Sequence, residues 1–228
     1  MNLALVAIVL AIGGGAVLAV STRNDAASAI GIAITLVGSA LLSDPLPAAA
    51  VLGVRVVAAL LVATMIRSAM RTGPRQPSPA GWPSEALLAT AAAVAGLGLS
   101  VALASAAAAG GGQLGIPGLA EPGPTGPVVT GGAAVTSMAL ITAAGASLLA
   151  LGAAPLVHGR PGPRRAIGLV LVTQAVLLLR IGIAGPAVEL EEIAREGLLV
   201  VAGATGAALA IAAASATSGR EDAEPAGT

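Results

Sequence analysis

The chain has 228 residues, of which 56% are hydrophobic and 10% are charged, and its formal net charge is +0. Soluble domains carry about 25% charged residues, so this composition excludes an ordinary soluble protein. The neutral balance gives no basic surface for nucleic acid. The lack of cysteine excludes disulfides and thiolate metal sites, and the single histidine, His158, excludes a multi-histidine metal or haem site. We therefore expect no cofactor.

Apolar runs of about 20 residues, the length that crosses a bilayer core, recur along the chain. They are apolar on all sides, which favours helices over barrel strands, in which apolar and polar residues alternate. We predict an all-α integral membrane protein with about seven transmembrane helices. The predicted helices are 3–20, 26–43, 48–69, 84–109, 132–156, 166–184 and 193–216.

Polar, glycine-rich or proline-rich segments separate these runs. They are a polar turn at 21–25, a proline pair at 45–47, a linker at 71–83, a loop at 110–132, a basic turn at 160–165 and a polar link at 180–196. The predicted division is a first three-helix membrane unit (1–72), a linker, fourth helix and loop (73–131), a second three-helix membrane unit (132–218) and a tail (219–228).

The two three-helix units share a sequence pattern. Ala29-Ile30-Gly31 matches Ala166-Ile167-Gly168 and Leu41-Leu42 matches Leu178-Leu179 at an offset of 137 residues, while Arg55 matches Arg195 at an offset of 140. One helix lies between the units, so both begin on the same membrane face. This predicts a 3+1+3 parallel repeat. The alternative is a chance match among alanine, leucine and glycine runs.

The arginines predict the orientation. If the helices alternate, one side of the membrane receives Arg23, Arg67, Arg71, Arg75, Arg160, Arg164, Arg165 and Arg220, and the other receives Arg55, Arg180 and Arg195. The positive-inside rule makes the first side cytoplasmic, with the N-terminus outside and the C-terminus inside. The bias toward alanine, glycine, arginine and proline is consistent with a GC-rich bacterial genome, so we expect a multi-pass protein of the bacterial cytoplasmic membrane.

Strongly polar groups inside apolar helices are the candidates for function, because each is costly in lipid unless it is paired. Arg55 lies about two turns into the third predicted helix, and Arg180 lies toward the outer end of the sixth. Each either snorkels to the interface or pairs with a carboxylate. For Arg55 that carboxylate is expected from elsewhere, such as Glu121 or a partner subunit. Gln174 either bonds across helices or holds water.

The segment 189–196 is the densest acidic cluster of the chain. In a helix, Glu191 attracts Arg195 and Glu192 repels Glu196, since each pair is four residues apart. A solvated helix start is the alternative. The candidate proton-path or subunit-contact residues are Arg55, Gln174, Arg180, Glu191, Glu192, Arg195 and Glu196. The sequence has no nucleophile–base pair, phosphate loop or metal-ligand spacing, so we predict no catalytic, cofactor-binding or metal-binding residues and no enzyme activity.

One unit of the chain resembles a known family. It consists of Arg164-Arg165, a helix opening with Ala166-Ile167-Gly168 and continuing to Gln174, a polar link, and the run from Glu189 to Ala204. This unit resembles the K-type subunit of respiratory complex I and the C-type subunit of multisubunit cation/proton antiporters. With the unit at the end of about seven helices, the chain resembles component E of hydrogenase-4 and formate hydrogenlyase complexes.

The resemblance implies a glutamate in the middle helix of the unit and another in its third helix. This chain has Ala33, and Val170 or Thr173, at the middle-helix positions and Ala204 at the third. The resemblance then implies a non-catalytic subunit that scaffolds a proton-translocating partner within the bilayer, beside antiporter-like or hydrogenase-type membrane subunits. A stand-alone transporter of small solutes or ions remains the alternative.

Overall fold

The structure is a computed structural model that describes residues 3–22, 24–42, 49–72, 90–91, 94, 131–158, 162–185 and 189–221. The described part is helical, without strands, as the sequence predicts. Its helices are α1 (Leu3–Ser21), α2 (Asp25–Ala40), α3 (Ala49–Thr72), α4 (Gly131–His158), α5 (Pro163–Ala184) and α6 (Glu189–Glu221). The fourth helix predicted from the sequence, 84–109, falls almost wholly outside the described residues.

Five of these helices, all except α2, are long and apolar enough to cross a membrane. The α2 helix is also apolar, and its 16 residues span about 24 Å at 1.5 Å per residue. Large apolar side chains cover the outside of the bundle, where Leu10, Val57, Ile183 and Ile193 are each more than 60% exposed. Such a surface is poorly suited to water. These helices fit a multi-pass membrane protein.

Local sequence signals set the helix ends. The Asn24 side chain accepts a hydrogen bond from the Ala26 amide at 3.0 Å and so caps α2. Pro163 starts α5 at the position where a missing N–H costs least. Gly185 ends α5 with a φ of 86°, which glycine adopts readily. The link predicted at 180–196 is shorter in the structure, because α5 continues through Arg180 and α6 already begins at Glu189.

The helices lie in two rows, α1–α2–α3 and α4–α5–α6, in which each helix packs on the next. Across the rows α1 packs on α4 and α3 packs on α6, while α5 contacts all five of the other helices. Arg55 lies beside Glu196 and Val62 beside Gly203, so α3 and α6 run in the same direction. Since α4, α5 and α6 alternate in direction, α4 is parallel to α3 as well.

Glycines bring the first two helices of each row together. A Cβ atom on Gly31 would lie 2.5 Å from the Gly15 carbonyl oxygen, and one on Gly168 would lie 2.8 Å from the Gly152 carbonyl oxygen. Small residues allow this close backbone approach between membrane helices. The residues of the second contact lie 137 positions after those of the first. The α1–α2 and α4–α5 hairpins therefore cross at corresponding points.

Candidate functional site

Polar side chains are buried where α2, α3, α5 and α6 meet. Arg55 and Gln174 are each 2% exposed, Ser39 is 5% exposed and Arg195 is 8% exposed. Arg55 lies six residues after the first residue of α3, which is about 9 Å along the helix axis. This group, with Glu196, is the polar cluster of the bundle. In a membrane it lies below the helix ends, where unpaired polar groups are costly.

Arg55 joins three helices. Its Nη1 atom donates a hydrogen bond to the Ala40 carbonyl oxygen at the end of α2, at 3.3 Å. Its Nε atom lies 3.5 Å from Oε1 of Glu196 on α6, whose side chain is 13% exposed. The α2 carbonyl is available because it belongs to the last residue of its helix. The arginine therefore connects α3 to α2 and α6 through one polar carbonyl and one carboxylate.

Gln174 makes the second polar link between the rows. Its Nε2 atom donates to the Ser39 hydroxyl at 2.6 Å, which joins the middle of α5 to α2. The Ser39 hydroxyl in turn donates to the Leu36 carbonyl oxygen at 2.7 Å within α2. Both side chains are buried, so this hydrogen bond is shielded from lipid and from bulk water. Gln174 thus bonds across helices, one of the two roles that the sequence left open.

A small cavity lies inside the polar cluster. It is lined by Leu36, Ser39, Ala40, Arg55, Ala59, Gln174, Arg195, Glu196 and Leu199. The space open to the centre of a water molecule is about 10 Å³. A buried water needs about that much room and two to four polar partners. The cavity therefore has the size and the lining for one water molecule, and it is far smaller than the roughly 300–1,000 Å³ of ligand pockets.

A second ion pair lies nearer the surface. Nη2 of Arg180 on α5 lies 2.5 Å from Oε2 of Glu191 on α6, and the two side chains are 40% and 41% exposed. Nη1 of Arg180 also donates to the Gly185 carbonyl oxygen at 3.2 Å. These contacts span the break between α5 and α6. Both charged residues therefore lie within helices, and the link between α5 and α6 is shorter than the sequence predicts.

The structure brings together four of the seven residues that the sequence singled out, namely Arg55, Gln174, Arg195 and Glu196, around one cavity. Arg180 and Glu191 form the separate outer pair. The side chain of Glu192 lies outside the described part of the structure. Glu191, expected to attract Arg195, has its ion pair with Arg180.

One expectation for Arg55 is corrected: it does not snorkel to the interface, since it is 2% exposed. The structure gives it a carboxylate within the chain, Glu196, which the sequence did not suggest as its partner. Glu121, the residue suggested from the sequence, lies outside the described residues. The reason is tertiary: α3 and α6 lie side by side and run in the same direction, which places residues near 195 next to residues near 55.

Sequence reasoning missed Ser39. The available signal was its hydroxyl group, which lies one turn after Thr35 in a largely apolar helix. The Thr35 hydroxyl lies 2.9 Å from the Gly31 carbonyl oxygen within α2 and also reaches across to α1, where the Ile12 carbonyl oxygen is 3.3 Å away. Serine and threonine in membrane helices commonly form such bonds. A search of α2 for hydroxyl groups would have pointed to the face that meets Gln174.

The polar cluster can hold helices together and hold a water molecule. Within the described residues no group of three or more His, Cys, Asp or Glu side chains is placed to hold a metal ion. Each of the contacts above joins one helix to another or stays within a helix. Comparison with protein-family models, curated proteins and solved structures finds no match for this chain.

Proposed function

We propose that this chain is a non-catalytic integral membrane subunit that scaffolds a proton-translocating partner in a complex-I-like or hydrogenase-4-like assembly. The observation that carries the proposal is the polar cluster, whose side chains join the two rows of helices. Ser39 with Gln174 and Arg55 with Glu196 each pair one row with the other. A buried polar network of this kind rigidifies a bundle. Rigidity suits a subunit that positions a larger neighbour.

The positions at which the resembled family carries glutamates support the scaffold role. Val170 is fully buried in the core, and the Thr173 hydroxyl donates to the Leu169 carbonyl oxygen of its own helix at 2.9 Å. Ala204 is exposed on the outer face of α6. None of these three residues carries a carboxylate for a proton. The partner would then supply the proton path.

We further propose seven membrane spans in a 3+1+3 parallel repeat. The support is that α3 and α4 run in the same direction, so α3 ends at the end of the bundle opposite to the start of α4. A chain that spans a membrane in this way has to cross once more between Thr72 and Gly131. The helix predicted at 84–109 is long enough for that crossing. The matching glycine contacts of the two hairpins support the repeat.

The proposed orientation follows the positive-inside rule. Arg67 and Arg71 near the end of α3 lie at the same end of the bundle as Arg164 and Arg165 at the start of α5. Arg55, Arg180 and Arg195 lie toward the other end. We therefore place the first end in the cytoplasm and the N-terminus outside, in a bacterial cytoplasmic membrane.

The scaffold role is tested by purifying the tagged chain from its native membrane in mild detergent. We expect larger antiporter-like or hydrogenase-type membrane subunits to co-purify. Arg55→Ala should weaken that association, because it loosens the α3–α6 contact, whereas the matched control Arg67→Ala changes an exposed arginine on the same helix and should not. A chain that purifies alone, or that sustains solute flux in proteoliposomes without a partner, would contradict the scaffold role.

A further inference from the structure

The α1–α2 and α4–α5 hairpins bury opposite faces. With the offset of 137 residues, the α5 residues Ile167, Val170, Leu171, Gln174 and Leu178 are all at most 4% exposed. Their counterparts on α2 are Ile30, Ala33, Ile34, Val37 and Leu41, which are exposed or partly exposed. Ile30 is 55% exposed and Ile34 is 40% exposed. The face that α5 buries is therefore the face that α2 turns outward.

The reverse holds for the other side of the same helices. Ile32, Leu36, Ser39 and Ala40 of α2 are each at most 5% exposed. Their counterparts on α5 are Leu169, Thr173, Val176 and Leu177, which are all partly or fully exposed, Val176 to 54%. The face that α2 buries is therefore the face that α5 turns outward.

The first helices of the hairpins follow the same rule. The exposed residues of α1 are Ala4, Ala7, Leu10, Ala11, Gly14 and Leu18, and each has a buried counterpart on α4. Those counterparts are Ile141, Ala144, Ser147, Leu148, Leu151 and Pro155. The second hairpin therefore uses for packing, over both of its helices, the face that the first hairpin leaves uncovered.

This pattern means that the two hairpins pack with opposite sides in contact. The side that α4–α5 buries corresponds to the side that α1–α2 leaves exposed. We call the outward side of α1–α2 the front face and the outward side of α4–α5 the back face. The front face corresponds to the surface that α4–α5 buries against α1–α2 and α6, and the back face corresponds to the surface that α1–α2 buries against α4–α5 and α3. Contacts of this head-to-tail kind join two different surfaces, so each copy keeps one surface open at either end unless a rotation closes a ring. The two outer faces are therefore complementary to each other.

We propose that a second copy of this chain stacks in the membrane with its back face on the front face of the first. The inference rests on the correspondence of the two hairpins and not on the scaffold role. In such a stack Val176 of one copy lies against Val37 of the next, as Ser39 lies against Gln174 inside the chain. The polar pair of the internal contact is thus replaced by two valines, which suit an apolar contact in lipid. Association then depends on packing between small and branched residues.

Site-directed cross-linking tests the stack, because the natural chain has no cysteine. Chains carrying Val37→Cys and Val176→Cys, with different tags, are co-expressed and treated in the membrane with a short, permeable bis-maleimide. We expect a cross-linked dimer carrying both tags. Val176→Cys expressed alone should give no cross-linked dimer, since in the stack position 176 meets position 37 rather than another position 176.

The matched control combines Val37→Cys with Val57→Cys on the outer side of α3. Val57 is 66% exposed and lies on neither face of the stack, so it reports random collision in the membrane. Dimer formation with Val176→Cys well above this control supports the head-to-tail stack. Equal cross-linking of the two mixtures, or none in either, overturns it and means that lipid, another protein or the segment of this chain between α3 and α4 covers the front face.

Discussion

At the scale of single residues, Arg55 connects α3 to α2 and α6 from a buried position. An arginine at the centre of a bilayer costs roughly 2.5–3.5 kcal/mol on insertion scales. Here the side chain is buried against the Ala40 carbonyl and the Glu196 carboxylate. Removing one member of a buried ion pair leaves the other charge uncompensated, while removing both does not. The pair should therefore show strong coupling.

We predict that Arg55→Met alone destabilises the bundle by about 3–5 kcal/mol, the range for breaking buried pairs. Arg55→Met combined with Glu196→Met should be less destabilising than Arg55→Met alone. The readout is the temperature at which half of the detergent-solubilised chain loses its monodisperse chromatographic peak. Arg67→Met, in an exposed turn of α3, is the control. A double variant that is less stable than either single variant would count against a direct ion pair.

We expect a smaller loss of stability when the Gln174–Ser39 hydrogen bond is removed. Hydrogen bonds between membrane helices contribute about 0.6–2 kcal/mol, so Gln174→Leu and Ser39→Ala should each lower the same transition temperature slightly. Their effects should not add, because either change removes the same 2.6 Å contact. Thr64→Val, on an exposed hydroxyl bonded within α3, serves as control. Fully additive losses would show that the two side chains act independently.

At the scale of helices, the sequence predicts where helices form, because that depends on local composition. The apolar runs predicted the six helices that the structure describes. The matching Ala-Ile-Gly motifs predicted a repeat, and the structure shows that Gly31 and Gly168 lie at corresponding helix crossings. The extent of α5 and α6 was not predictable from composition, because the charges at Arg180 and Glu191 suggested a link, whereas in the structure both residues lie inside helices and contact each other. The carboxylate beside Arg55 was not predictable either, because it depends on which helices become neighbours.

The helix crossings lead to a prediction about Gly31. A Cβ atom there would lie 2.5 Å from a backbone oxygen that cannot swing away, so Gly31→Ala should force α1 and α2 apart. We expect a loss of about 1–3 kcal/mol, the usual cost of overpacking. Gly53→Ala is the matched control, because nothing lies within 4 Å of its added Cβ and alanine favours a helix. The same thermal assay measures both, and equal stability of the two variants would refute the crossing.

At the scale of the whole molecule, the direction of the helices predicts on which side of the membrane each helix end lies. Arg71→Cys lies at the end of α3 and Gly131→Cys at the start of α4, so an impermeant thiol reagent should reach them from opposite sides of the membrane. Arg71→Cys should be labelled only in inside-out vesicles, since its end of the bundle carries the arginines. Labelling of both positions from one side would show that the chain between them does not cross the bilayer.

The two three-helix rows lie side by side, and their third helices, α3 and α6, run in the same direction. The polar cluster depends on that arrangement. The most direct measurement is a disulfide between Val62→Cys on α3 and Gly203→Cys on α6. A Cβ atom on Gly203 would lie 3.3 Å from the Val62 Cβ atom, close to the spacing found in disulfides. After oxidation in the membrane, cleavage at a protease site inserted near residue 120 should leave the two halves linked. Separation of the halves, or equal linkage in the crossed pair Ala69→Cys with Glu196→Cys, which only an antiparallel packing would bring together, would contradict the parallel arrangement.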